Sequence, residues 1–122
     1  MIWDKKIKKR ILGIHGDILS DNLLVVLVGI HGNEQAGLHA LQDVFTYLKS
    51  SFLPTNGCII ALKGNIKALE EHKRYIDKDL NRLWSSEQIE YVKNTSYDFL
   101  KSNEDKEQKE LYFILEQLIS VR

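Results

Sequence analysis

Cysteine, proline and methionine occur once each in the 122 residues, and 17 lysines and arginines are cancelled by 17 aspartates and glutamates. A lone cysteine, Cys58, excludes a disulfide framework and a cysteine-based zinc site. The cancelled charge removes the footprint that nucleic acids and acidic membrane surfaces select, so neither is expected as a partner. The longest uninterrupted apolar run, Leu23 to Val28, has six residues, whereas a membrane-spanning helix needs about twenty. Met1 to Arg10 is basic, but the apolar residues after it are broken by His15, Asp17, Ser20 and Asp21, too short and too polar a stretch for a signal peptide. A cytoplasmic setting is the default expectation. With Pro54 the only proline and no low-complexity stretch, no linker divides the chain. A single domain over residues 1–122 is expected, large enough to bury about two-thirds of its unfolded surface.

What is present is an alternation of short apolar strands and amphipathic helices. Ile7 to Ile14 alternates weakly and reads as a strand at or near a sheet edge. Leu23 to Ile30 is apolar throughout and rich in β-branched residues, which predicts a strand covered on both faces, as in a parallel sheet. From Glu34 the period changes: Leu38, Leu41, Val44, Phe45 and Leu48 fall at helical spacing, to about Ser50. Cys58 to Leu62 is a second apolar strand, with Cys58 expected as a small buried residue. Strand, helix and strand make a βαβ unit, hence an α/β fold whose sheet is mixed or mostly parallel and flanked by helices.

Asn65 can cap a short helix over Ile66 to Glu71, and His72 to Trp84 reads as an extended charged loop. Further helices are expected from Ser85-Ser86 to about Leu100 and from Asn103 to Arg122. The second carries one apolar face of Leu111, Ile114, Leu115, Leu118 and Ile119. Two or three strands are few for so many helices, and the chain is expected to stop in the middle of a fold. The sheet edge left open by such a truncation would favour pairing with a second copy.

The chemistry concentrates at the end of the first apolar run, in Gly29-Ile30-His31-Gly32-Asn33-Glu34. Imidazole and carboxylate are ordinary ligands of catalytic zinc, which takes about three protein ligands and leaves a place for water. Gly32 and Asn33 argue against a continuous helix across the pair. His31 is therefore expected at the strand end and Glu34 in the first helical turn, at the carboxyl ends of the strands where ligands bind in open α/β sheets. Gly13-Ile14-His15-Gly16 repeats the first four residues, but Ile18 stands where a second ligand would be, so His15 is read as structural. A second cluster, Lys73 to Arg82, places Arg74, Asn81 and Arg82 in a loop. Guanidinium groups grip carboxylates in a bidentate fork and can stabilise an oxyanion. Tyr75 and Trp84 flank this loop and read as its anchors.

Taken together, H-G-N-E after a strand, then G-N-x-x-A-L, then R-Y-I-D-x-D-L-N-R, resemble the succinylglutamate desuccinylase/aspartoacylase family, a branch of the zinc carboxypeptidase superfamily. The likeness covers Leu23 to Trp84 in order and spacing. It implies a zinc-carboxypeptidase-like fold and a zinc-dependent hydrolase that cleaves the amide bond of a small N-acyl amino acid. By position, His31 and Glu34 would be zinc ligands, and Arg74 would polarise the carbonyl and steady the oxyanion. Asn81 and Arg82 would hold a substrate carboxylate, with Asp79 a partner that orients the loop. Two departures stand out. The family's third zinc ligand, a histidine in an Asp-Leu-His motif, and its later catalytic glutamate have no counterpart; His39 and His72 lack the context. Ile66 also replaces a common proline. The chain thus resembles the first part of such an enzyme, and is expected to be inactive alone. Its alternatives are a carboxypeptidase acting on short peptides and a non-catalytic binding module.

Overall fold

A computed structural model describes residues 3–52 and 54–122. Its centre is a three-stranded mixed sheet in the order β1-β3-β2. Strand β1 (Ile11–Gly16) runs antiparallel to β3 (Cys58–Lys63), with Ile14 opposite Ile60 and a register shift between Ile11 and Gly13. Strand β2 (Leu23–Val28) runs parallel to β3, with Val25 opposite Ile60. Helix α2 (Ala36–Ser51) joins β2 to β3, which completes the expected βαβ unit.

The opening segment differs from expectation. Residues Lys5–Lys8 form a short helix, α1, because the Asp4 carboxylate accepts a hydrogen bond from the Ile7 amide at 2.9 Å. Ile7 is buried from this helix, not from a strand, and β1 begins four residues later. Strand β2 stops at Val28 instead of Ile30 and lies at the edge of the sheet; Leu24 on it is 56% exposed. Its apolar sequence is that of an interior strand, but among the described residues β3 alone pairs with it. β1 is the other edge, as its weak alternation suggested.

The two faces of the sheet are covered unequally. On one, Ile60 and Leu62 of β3 pack with Leu111, Ile114 and Leu118 of α5 (Asn103–Ser120), with Leu80, and with Trp3 and Ile7. Helix α5 ends two residues before Arg122 and carries the expected apolar face, except that Ile119 is exposed. On the other face α2 lies against β1, and none of its residues is fully buried. Gly13 makes that contact possible: a Cβ there would come within 2.7 Å of the Phe45 ring. Short helix α3 (Ile66–Glu71) is capped by Asn65 as expected. Helix α4 (Ser86–Asn94) ends well before Leu100, and a 3-10 turn over Tyr97–Phe99 takes up the remainder.

Charged groups tie these pieces together. Arg10, 1% exposed, donates to the Lys63 carbonyl at 2.9 Å and to the Glu107 carboxylate of α5 at 2.6 Å. Glu107 in turn accepts from the Ile66 amide at the start of α3. The strand end of β3, which leads into the candidate site, is thereby fixed to α5.

Candidate functional site

The site begins where β2 ends. Gly29 adopts φ +69°, a left-handed conformation that costs glycine little, and it turns the chain off the sheet. Gly32 follows in a place with no room for a side chain: a Cβ would lie 2.1 Å from the Ala68 carbonyl of α3. Between these constraints His31 and Glu34 form a turn closed by a hydrogen bond from the Glu34 amide to the His31 carbonyl at 3.2 Å. Glu34 therefore precedes α2 and does not lie in its first turn, contrary to the expectation from periodicity. Gln35 is the cap residue and makes no side-chain capping bond.

The charged loop folds back onto this turn. The Gly32 amide donates to the Arg74 carbonyl at 3.3 Å, and His31 Nε2 lies 2.9 Å from Asp79 Oδ1. Arg74 bridges the two acids, with Nη1 4.0 Å from Glu34 Oε1 and Nη2 3.7 Å from Asp79 Oδ2. The His31 contact holds the Asp79 carboxyl below its ordinary range; partial burial opposes this, and the Asn81 amide and the charges of His31 and Arg74 reinforce it. An ionised Asp79 can only accept, so Nε2 of His31 donates to it, and in the neutral ring Nδ1 is then an acceptor. That Nδ1 stands 3.5 Å from Glu34 Oε1. Two acceptors facing each other at this distance make a place for a shared positive charge. The separation is close to the ~3.4 Å edge spanned by two ligands about 2.1 Å from a tetrahedral zinc. The Asp79 contact, moreover, is the second hydrogen bond that metal-binding histidines characteristically make.

The other candidates are placed less tightly. Asn81 and Arg82 are exposed in a 3-10 helix over Leu80–Arg82, and Asp79 caps it by accepting from the Asn81 amide at 2.9 Å. This turn gives the end of the expected loop more order than its composition indicates, with Leu80 buried in the core. Tyr75 is 41% exposed and does not anchor the loop, whereas Trp84 packs against the core. His72, at φ +54°, pairs with Gln35 at 2.8 Å, and His39 is exposed on α2. His15 meets Thr55 at 2.7 Å. Among the described residues, no group of three or more histidine, cysteine, aspartate or glutamate side chains is arranged to hold a metal ion.

Sequence reasoning passed over Glu104. It lies in the first turn of α5, is fully buried, and accepts hydrogen bonds from the amides of Ile76, Asp77 and Lys78. Its only advance signal was the Asn103-Glu104-Asp105 run, which reads as ordinary acidic residues at a helix start.

The α/β layer thus carries a strand-end His/Glu turn under an arginine-bearing loop. Residues 20–117 match the model of the succinylglutamate desuccinylase/aspartoacylase catalytic domain, and the chain belongs to that family. The succinylglutamate desuccinylase of Yersinia pestis (strain Pestoides F) is 35% identical over 69 residues, 57% of this chain and 21% of the relative. The Photorhabdus laumondii enzyme of the same name is 31% identical over 68 residues, again 21% of its length. Among solved structures, the Chromobacterium violaceum succinylglutamate desuccinylase superposes with a TM-score of 0.66 at 21% identity, covering 88% of this chain and 32% of that one. The Vibrio cholerae protein gives 0.64 at 24% identity, covering 85% and 27%. The fold is therefore shared, and the chain spans about a fifth of the length of the curated relatives it matches.

Proposed function

We propose that this chain supplies the metal-binding turn and the carboxylate-binding loop of a zinc-dependent deacylase acting on small N-acyl amino acids. The observation that carries the reading is the pair of facing acceptors, His31 Nδ1 and Glu34 Oε1, with Asp79 on the far side of the imidazole. His31 and Glu34 would hold zinc. When bound, zinc lowers the pKa of a water and polarises the amide carbonyl. Arg74, half-exposed beside both acids, would stabilise the oxyanion that develops on that carbonyl. Asn81 and Arg82, on the rim of the same loop, would receive the carboxylate of the amino-acid product. Asp79 keeps the proton of His31 on Nε2, so that Nδ1 remains a ligand.

Two protein ligands hold zinc weakly, and no turnover is expected from this chain by itself. Calorimetric titration with zinc should give affinity weaker than micromolar, lost in H31A; submicromolar 1:1 binding would overturn the two-ligand reading. The substrate side is tested by adding N-succinylglutamate, the compound in the relatives' names, and monitoring backbone amide resonances. Shifts should centre on Arg74, Asn81 and Arg82 and vanish in R82A. Shifts elsewhere, or unchanged in R82A, would remove the assignment.

The free edge of β2 supports a second reading, in which the domain acts by pairing with another strand. Six successive apolar residues without proline, charge or bulge are poor protection for an edge. Sedimentation should then show concentration-dependent self-association that V26K weakens; a monomer at all concentrations would exclude it.

A further inference from the structure

The loop that carries Arg74 and Asp79 has no helix or strand between Glu71 and Leu80, and Lys73, Arg74, Tyr75 and Asp77 are exposed. Such a segment is ordinarily mobile. Here, however, it is fastened from beneath. Glu104 Oε1 accepts from the Asp77 and Lys78 amides at 2.9 and 3.0 Å, and Oε2 accepts from the Ile76 amide at 2.9 Å. The remaining partners of Oε2 are the side-chain amides of Asn65, at 2.7 Å, and Asn103, at 3.1 Å. All five partners are neutral N–H groups, and the carboxylate is fully buried. Two ties flank it: the Asn103 amide donates to Asp77 Oδ2 at 2.7 Å, and Lys78 Nζ lies 2.7 Å from Asp105 Oδ1.

We infer that Glu104 is a positioning residue for the candidate site, setting through three consecutive backbone amides where Asp79 meets His31 and where Arg74 meets Glu34. The spacing makes this specific. Lys78, the last amide held, immediately precedes Asp79, so few torsions lie between the clamp and the carboxylate that orients His31. Ile76, the first, is two residues from Arg74. Asn65 couples the clamp to α3, because its Oδ1 caps that helix while its Nδ2 serves Glu104. Burial pushes the Glu104 carboxyl up, yet the N–H groups of Ile76, Asn65, Lys78 and Asp77 outweigh it and leave the group below its ordinary range. It is thus held as an acceptor at neutral pH. A glutamine could not replace it, since its NH₂ would face at least two N–H donors. The geometry stands whether or not the chain serves a deacylase; only the consequence for a substrate rests on that reading.

The test uses two readouts, neither involving metal or substrate, so a failure of the deacylase reading would not disturb it. One is amide hydrogen exchange at Ile76, Asp77 and Lys78. The other is the ring ¹⁵N shifts of His31 at a pH where the imidazole is neutral, which report its tautomer. In E104Q the three amides should exchange at least tenfold faster, and His31 should pass from the Nε2–H form to a mixture. In D77A, an exposed change that removes the acceptor of the Asn103 amide without disturbing the core, both readouts should move in the same direction but less. E107Q alters a neighbouring buried α5 carboxylate that serves Arg10 and α3 but not the loop. It should lower thermal stability and leave both readouts unchanged. Wild-type exchange and tautomer in D77A and in a folded E104Q would overturn the inference. So would equal changes in E107Q, which would mean general loosening.

Discussion

Replacing Gly32 with alanine perturbs the turn between His31 and Glu34 by lack of space. Its added Cβ would stand 2.1 Å from both the carbonyl carbon and oxygen of Ala68 and 2.5 Å from the Leu69 amide nitrogen. Ordinary contacts are near 3.4 Å or more, so α3 must retreat by more than an ångström, and its backbone cannot rotate aside as a side chain would. Overpacking of this kind costs about 3 kcal/mol. In a chain of 122 residues each kcal/mol moves the melting temperature by about 4 °C, so a fall of roughly 12 °C is expected. Gly37, five residues on, provides the opposite sign. A Cβ there would lie 3.6 Å from Val28 Cγ1, an ordinary contact, and the residue is an exposed member of α2. Alanine is favoured over glycine in a helix by about 0.5–1 kcal/mol, so G37A should raise the melting temperature by about 2–4 °C. Thermal and urea unfolding of the two variants, monitored by circular dichroism, measure both effects. A G32A protein as stable as the parent, or a G37A protein less stable by more than about 1 kcal/mol, would refute the packing described for this turn. G32A should also weaken the Gly32–Arg74 hydrogen bond, visible as faster exchange of the residue 32 amide.

Three further outcomes are expected. R10M takes the buried guanidinium from the Glu107 and Glu110 carboxylates and from the carbonyls of residues 63 and 64, and should cost about 3–5 kcal/mol in urea unfolding. Acid should destabilise the chain below roughly pH 4.5, where the unfolded carboxylates bind protons that Asp79 and Glu104, lowered in the folded state, refuse. Stability then rises with pH through that window, and D79N should flatten the slope. Glu110, raised mainly by burial, acts in the opposite sense: its folded form takes up protons first, so stability falls as pH rises above its ordinary value, and E110Q should remove that limb. Cys58 is 3% exposed and its thiol is pushed up by burial, so a thiol reagent should react only on unfolding; rapid labelling of native protein would contradict its placement.

Much of the site is legible in the sequence because its parts are local. A histidine and a glutamate three apart after an apolar run, and an arginine-rich segment without helical period, can be found by reading along the chain. Their meeting is legible only through family resemblance, since nothing in the spacing says that Asp79 lies 2.9 Å from His31. Glu34 reads as helical because apolar periodicity starts near it, whereas the His31–Glu34 hydrogen bond keeps it in the turn and α2 starts at Ala36. Ile7 reads as part of a strand for its apolarity, which serves a capped helix equally well.

By itself the sequence determined the βαβ unit, the cap at Asn65, the apolar face of α5 and the residues capable of binding a metal or a carboxylate. Each depends on side chains within a few positions of one another, where periodicity and hydrogen-bonding capacity act directly. Tertiary structure alone decided that β2 is an edge strand, that Gly32 has no space, and that an acidic residue at a helix start is buried beneath the loop. Those properties depend on which distant segments become neighbours, and a carboxylate such as Glu104 looks the same in the sequence whether water or three backbone amides will surround it.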